Sequence, residues 1–239
     1  MKQKQNAGRS AIDELLSVMA HLRNREGGCP WDMAQTFTTI APYTIEEAYE
    51  VADAIANGNI EQLEDELGDL LFQIVFYAEI AREDGNFDFH DIARKITSKM
   101  RRRHPHVFNH QKGTTTEKTQ PSWEEQKAGE RKARAKLLNR PVSALDDVPN
   151  ALPALMRAEK LQKRAASQGF DWATLAPVLA KIREELGEVE EEITSGRDET
   201  RVRDEVGDLI FSCVNLARHL GVDAEIALRE ANAKFEGRY

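Results

Sequence analysis

The chain has 239 residues, enough for one large domain or for two of about 100 residues, each able to bury its own core. Charged residues make up 31% and hydrophobic residues 41%, with only 8 Pro and 14 Gly, a balance expected of a helix-dominated, soluble protein. The net charge of −8 argues against a dedicated nucleic-acid binder, yet leaves room for a phosphate ligand escorted by a divalent cation.

Cys29 and Cys213 stand far apart and form neither a CxxC metal pattern nor a disulfide framework, so a reducing cytoplasmic setting is expected. The first residues, "MKQKQNAGRSAIDELL", contain no apolar signal region, and no apolar run approaches the length of a membrane span.

In chain order, the first expected element is an amphipathic helix running toward a Trp31 loop, "LLSVMAHLRNREGGCPWD". A helix carrying "IEEAYEV" (45–51) follows, then the turn signal "ANGN" (56–59), then a helix opening with "EDELGDLLFQIVFYA" (64–78). The first half closes on the basic stretch "SKMRRRHPHVF" (98–108). Residues 109–150 begin polar, with Gly, Thr and Pro, and continue as a charged helix; the domain boundary is placed there.

The second half repeats the first. An amphipathic helix, "ALPALMRAEKLQKRAASQGFDW", ends at a Trp172 loop. Then come "REELGEV" (183–189), the turn "TSGRD" (194–198), "RDEVGDLIFSCVNLA" (203–217) and finally "AKFEGRY" (233–239). Residues 65–78 and 204–217 share 8 of 14 positions, and the spacer between the two acidic motifs is 15 residues in one copy and 16 in the other. Agreement in order, spacing and chemistry points to a duplicated unit. No segment shows strand alternation, so the expectation is an all-α fold of two tandem units resembling four-helix bundles: 1–112, a linker at 113–149 with a charged helix, and 150–239.

The repeated acids carry the chemistry. On a helical wheel Val206, Leu209, Ile210, Cys213, Val214 and Ala217 form an apolar stripe, with Glu205, Asp208 and Ser212 along one edge. On the partner helix Ile182, Leu186, Val189 and Ile193 form the stripe, with Glu185, Glu188 and Glu192 along an edge. Antiparallel pairing lets those edges meet, and the resulting carboxylate cluster is costly unless a hard cation shares its charge. All-oxygen donors at i and i+3 from two helices suit Mg²⁺ or Mn²⁺, while a di-iron centre would want Glu-x-x-His, which neither copy has. The first copy offers Glu47, Glu50, Glu66 and Asp69 at the matching places. A local reading competes there: "TIEE" reads as a capping box, with Thr44 as N-cap and Glu47 three residues on. Gly68 and Gly207, each costing roughly 1 kcal/mol in a helix relative to Ala, suggest room for a close helix or ligand approach.

Cations suited to a polyphosphate stand at corresponding ends: Lys99 with Arg102 or Arg103, and Lys234 with Arg238, at i and i+3 or i+4. Their competing role is complementing a helix dipole. Arg201, one turn before Glu205, suits an ion pair or a phosphate contact equally. Trp31 and Trp172 can lie in the core or pack under a base.

EExxE, a spacer of this size, then ExxD, together with "GCPWDMAQTF", "KMRRRHPHVF", "LPALMRAEKLQKRAASQGFDW" and "KFEGRY", resemble the MazG family of all-α nucleoside triphosphate pyrophosphohydrolases over nearly the whole chain. The resemblance implies a Mg²⁺-dependent homodimer of interlocked helical units that cleaves NTPs and dNTPs between the α and β phosphates to the monophosphate and pyrophosphate. It implies metal ligands at Glu185, Glu188, Glu205 and Asp208, with Glu184 beside them, and counterparts at Glu47, Glu50, Glu66 and Asp69. It also matches Lys127 of "WEEQK", Arg201, Lys234 and Arg238 to basic positions linked to phosphate contact or activity. Lys is the common family residue where Arg201 stands, and the family pattern continues past KFExR with a further basic residue and an aromatic, beyond Tyr239.

In the scheme that follows, Glu185 and Glu205 act at the reacting centre, Glu184 orients or deprotonates the attacking water, and pyrophosphate leaves toward Lys234 and Arg238. The alternative from another class is a helical module that binds a nucleotide or partner, its carboxylates vestigial. No membrane and no nucleic-acid partner are expected.

Overall fold

In the computed structural model, the residues described are 10–108, 128–130, 132–133, 136–137, 143–196 and 199–239. Among them every regular element is helical. The expected site residue Lys127 and most of the expected linker lie outside the described residues; the described residues from 128 to 137 are helical. The chain divides into two compact units, Met1–Thr119 and Gln120–Tyr239.

The first unit contains α1 (Ala11–Leu22), α2 (Pro30–Ala34), α3 (Phe37–Ala56), α4 (Ile60–Glu83), α5 (Phe89–Arg103) and α6 (Pro105–Phe108). The second contains α7 (Ala154–Ala166), α8 (Leu175–Thr194), α9 (Glu199–His219) and α10 (Ala224–Glu236). The duplication extends to helix boundaries: α3 and α8 are both 20 residues long and begin at matching positions. In each unit this helix reverses into the next at a glycine with positive φ, Gly58 at 66° and Gly196 at 61°, where a side chain would be strained. The two long helices of each reversal pack along one another, and that hairpin is the frame for the acids.

Caps fix where the helices start. Ser10, Thr36 and Asp88 each form reciprocal capping boxes three residues into α1, α3 and α5. The start at Thr36 corrects the local reading of "TIEE". Thr44 lies inside α3, its hydroxyl 2.8 Å from that of Tyr77, so Glu47 is a mid-helix residue like Glu185.

The first unit's core is Met19, Ile40, Val75, Phe76 and Ile80, with Leu15, Leu16, Phe72, Tyr77 and Phe89 packed against it. In the second unit's helices the buried apolar side chains are the smaller Val178, Val189 and Val214. Here the wheel expectation is corrected. Val214 and Val189 face inward, but Val206, Ile210, Cys213, Leu186 and Ile193 are exposed, and the polar Ser212, Asn215 and Glu185 are buried in their stead. The first unit exposes the matching face, with Leu67, Leu71, Ile74 and Ile55.

Each unit also carries a long-range ionic tie. In the first, buried Arg23 donates to both carboxylate oxygens of Glu83 at 2.9 and 2.8 Å, and to the carbonyls of Asp32 and Gln35. Its guanidinium lies 5.4 Å from the centre of the Phe76 ring. This pins the segment around Trp31 to the end of α4. In the second, Arg218 near the end of α9 holds Asp171 at 2.5 and 3.0 Å, with His219 3.0 Å from the same carboxylate. The Arg218 guanidinium beside it holds the Asp171 carboxyl down at about 2. The segment leading into Trp172 is thereby tied to α9.

Candidate metal centres

The reversal from α3 to α4 brings Glu47, Glu66 and Asp69 together, with one oxygen of each within 4.8 Å of the others. The reversal from α8 to α9 does the same for Glu185, Glu205 and Asp208. Spacing explains this: Glu66 and Asp69, like Glu205 and Asp208, stand one turn apart on one helix and face a carboxylate of the antiparallel neighbour. Glu50 and Glu188, expected beside them, stand one turn after Glu47 and Glu185 and hydrogen-bond that neighbour's carboxyl, but lie outside the two tight groups.

The electrostatics are those of crowded acids. Burial pushes the Glu47 carboxyl above its ordinary value, and the hydrogen bond to Glu50 with the charges of Asp69 and Glu50 push it further, against a hydrogen bond from Gln73. Glu188 is raised by desolvation, by its hydrogen bond with Glu185 and by that residue's charge, with Lys181 opposing and Glu205 adding to the rise. Carboxyls that hold protons against one another in this way form a donor set that a divalent cation would relieve.

The counter-groups differ between the units. In the first, neutral amides approach the acids: Gln73 donates to Glu47 at 3.4 Å and Gln62 to Glu66 at 3.2 Å. In the second, the Lys181 ammonium reaches Glu184 at 2.6 Å and Glu185 at 2.8 Å. Those two contacts hold the lysine's proton more firmly than usual. The Glu185 side chain is 5% exposed and that of Lys181 33% exposed, so the cation sits at the mouth of the cluster. Lys181 was missed in the sequence because a lysine one turn before an acid on a charged helix reads as an ordinary solvated pair; what marks it is its companion, a buried acid.

The other expected site residues are placed as follows. Glu184 is exposed beside Lys181 and lies outside the tight cluster. Arg201 is exposed at the start of α9 and stands 3.7 Å from Glu192 of α8, which favours the ion-pair reading for this arrangement. Lys99 and Arg102 lie in the last turns of α5, half-buried and exposed, but Arg103 is 6% exposed. Burial withdraws Arg103 from a phosphate in solvent, because its position on the helix faces inward. Lys234 is exposed on α10, whereas Arg238 lies past the C-cap Gly237, outside the helix that was to align the two. Trp172 is 42% exposed in the segment before α8; Trp31, 52% exposed, is on short α2 with its ring edge-on to Tyr43 at 6.0 Å. Neither tryptophan is core.

The expectation for the two helix glycines is also modified. A Cβ placed at Gly68 or Gly207 would meet nothing within 4 Å, so no neighbour within the described chain uses the space they leave.

Among the described residues, no helix is long and apolar enough to cross a membrane. A model of the MazG nucleotide pyrophosphohydrolase domain matches residues 35–108 and 173–239, so each acid cluster lies within one matched segment. The chain is 54% identical over 229 residues to a nucleoside triphosphate pyrophosphohydrolase of Escherichia coli strain K12, covering 95% of this chain and 85% of that protein. It is 42% identical over 228 residues to the nucleoside triphosphate pyrophosphohydrolase/pyrophosphatase MazG of Thermotoga maritima, covering 95% and 84%. It is also 34% identical over 160 residues to a nucleoside triphosphate pyrophosphohydrolase of Mycolicibacterium smegmatis, covering 66% of this chain and 48% of that protein. With both of its units matching one domain model and its similarity running almost end to end, the chain belongs to the MazG family of nucleotide pyrophosphohydrolases.

Proposed function

We propose that this protein is a nucleoside triphosphate pyrophosphohydrolase, hydrolysing NTPs or dNTPs between the α and β phosphates to a monophosphate and pyrophosphate. The observation that carries the reading is the meeting of Glu185, Glu205 and Asp208, repeated at Glu47, Glu66 and Asp69, in a chain of this family. Glu188 and Glu50 extend the two ligand sets. An all-carboxylate donor set fits Mg²⁺, with Mn²⁺ as the substitute. When bound there, such an ion supplies charge neutralisation at the phosphates and a more acidic water.

The chain's own residues do the remaining work. Glu185 and Glu205 are assigned to the reacting centre, which their clustering with Asp208 supports. Glu184, exposed one residue before Glu185, is assigned to orienting the attacking water and taking its proton. Lys234, Arg238 and Arg201 in the second unit, Lys99 and Arg102 in the first, and Lys127, which lies outside the described residues, are assigned to the leaving polyphosphate charge. Trp172, half-exposed and held through Asp171, is suited to stack on a base.

A homodimer belongs to the same proposal. The exposed row Val206, Ile210, Cys213, Leu186 and Ile193, matched by Leu67, Leu71, Ile74 and Ile55, gives each unit an apolar face that a second copy would cover. Light scattering coupled to gel filtration should return twice the chain mass, and Ile210→Glu should lower it. A single-chain mass for the unmodified protein would remove this part of the reading.

The decisive assay incubates the protein with Mg²⁺ and a panel of NTPs and dNTPs, with pyrophosphate expected as the product. Glu205→Gln should lower turnover by about 100-fold or more if the second centre works, and Glu66→Gln likewise if the first does. Orthophosphate as first product would overturn the reaction, and nucleotide binding without turnover would make the protein a binding module.

A further inference from the structure

The two units use different arginines for the same connection. In the first, Arg23, just past α1, donates to the carbonyl of Asp32, the residue after Trp31, and to Glu83 at the end of α4. In the second, Arg218 of α9 donates to Asp171, the residue before Trp172, and the Asp171 carboxylate in turn accepts the Trp172 backbone N–H at 2.9 Å. The first-unit residue matching Arg218 is Glu79, which pairs within its own helix with Arg82, so the two ties are built from residues that are not equivalent. Both tryptophans nevertheless stay about half-exposed. A tie that served packing alone would draw the indole inward. In the second unit the tie also reaches back toward the acids. Asp208, Ser212, Asn215 and Arg218 follow one another on α9 at intervals of three or four residues and share one face. Arg218 donates to Asn215 Oδ1 at 3.0 and 2.7 Å, and both Ser212 and Asn215 are buried. Where α4 puts the core ring of Phe76, α9 puts Asn215, a polar side chain that braces Arg218. Arg218 stands ten residues beyond Asp208, about 15 Å along the helix.

We propose that Asp171 and Arg218 are a positioning pair that holds Trp172 as the stacking platform for the base of the bound nucleoside triphosphate. With the phosphates drawn to Glu185, Glu205 and Asp208, the sugar and base extend along α9 toward the Trp172 segment. An indole fixed in advance loses little freedom when a base stacks on it, and that saving appears as affinity. Every base has a π-face, so the pair strengthens binding of nucleosides in general without choosing among them. This inference rests on reading the second acid cluster as the site of the phosphates, and it adds how the other end of the substrate is held.

The test uses the full chain carrying Glu66→Gln, so that binding reports the second unit, with Asp171→Asn, Arg218→Gln, Trp172→Ala and the double variant Asp171→Asn/Trp172→Ala added to it. Circular dichroism melts fix a temperature at which each variant is folded; should one tie variant fail to fold, the other carries the same comparison. Calorimetry in Mg²⁺ then measures affinity for two probes, α,β-methylene adenosine triphosphate and inorganic tripolyphosphate, which has the phosphates and no base. Each single variant should weaken the nucleotide analogue about tenfold, within the range that stacking on one aromatic contributes, and leave tripolyphosphate unchanged. The double variant should lose no more than Trp172→Ala alone, because Asp171 acts through the indole. A pair that merely supported the fold would weaken both probes, and its loss would add to that of Trp172. Equal weakening of tripolyphosphate, additive losses in the double variant, or unchanged analogue affinity in Trp172→Ala overturns the proposal. Failure of the Glu66→Gln parent to bind either probe would instead overturn the reading of the second cluster as the phosphate site.

Discussion

The first unit and the second place equivalent carboxylates on equivalent helices, yet they are stabilised in different ways. Unit one fills its interior with Phe76, Met19, Ile40, Val75 and Ile80, and buries Arg23 against Glu83. Unit two has three buried valines in its described helices, buries Glu185, Ser212 and Asn215, and ties Arg218 to Asp171. The acids were kept through the duplication while the packing behind them and the charges facing them diverged. The motif sets which acids meet, and its surroundings determine how firmly they are held together and which charges face them.

The contrast can be broken most forcefully in the core. Phe76→Ala should cost about 3–5 kcal/mol, against about 2 kcal/mol for Val178→Ala, because a large ring leaves a large cavity. Chemical denaturation followed by the Trp31 and Trp172 fluorescence in single-tryptophan backgrounds would assign each loss to its unit. Equal losses at both sites would erase the distinction between a well-filled and a thinly filled unit.

Divalent cation should come next in size. At a concentration one hundred times its dissociation constant a cation stabilises by about 2.7 kcal/mol, read as a rise in melting temperature. The rise should be larger at pH 7 than at pH 5. Glu47 and Glu188 have folded pKa values raised above the usual 4.5, so their contribution to cation-free stability is complete below that value and is lost as pH rises through the folded one. At pH 7 the folded chain carries their repulsion and a cation relieves it, while at pH 5 protons compete for the same oxygens.

Asp171→Asn should cost a smaller amount, about 1–2 kcal/mol at pH 7. Asp171 is depressed from 3.8 to about 2, so its contribution is present above pH 4 and disappears as pH falls toward 2. The stability difference between the parent and the variant should close over that window in a series of denaturant titrations. A gap that persists at pH 2 would make the tie a matter of shape, with charge playing no part.

The smallest effects are expected at the helix glycines. Gly68→Ala and Gly207→Ala should each stabilise by about 0.5–1 kcal/mol, since a Cβ there meets nothing and Ala is the better helix former. If either substitution lowers self-association or raises KM, the space belongs to a second copy or to nucleotide, and the two positions show which unit uses it.

Much of this arrangement could be read from the sequence because it depends on local periodicity. The repeated acids one turn apart, the glycine reversals and the helical register all follow from neighbours along the chain. What escaped was long-range. Arg23 meets Glu83 and Arg218 meets Asp171 across loops, and no spacing rule links them. The direction of burial is long-range for the same reason: the wheel of α9 shows an apolar stripe, and only packing decides that Val214 goes in while Val206 and Ile210 stay out. Thr44 illustrates the opposite error, a convincing local cap overridden because Thr36 supplies an earlier start. Lys181 needed the burial of Glu185 before its role could be separated from that of other surface lysines.

The reversals at Gly58 and Gly196 have a kinetic consequence. Each acid cluster is contained in a single contiguous stretch, from Glu47 to Asp69 and from Glu185 to Asp208, with the chain reversing at Gly58 or Gly196. Loops of that length close on the submicrosecond scale, and contacts between neighbours in sequence form early in folding. The carboxylates should therefore meet while the remainder of each unit is still unpacked, so that the emerging hairpin encounters its own charge repulsion first. Folding in the presence of a divalent cation should then be faster as well as more favourable, with the acceleration appearing in the refolding arm of a chevron plot.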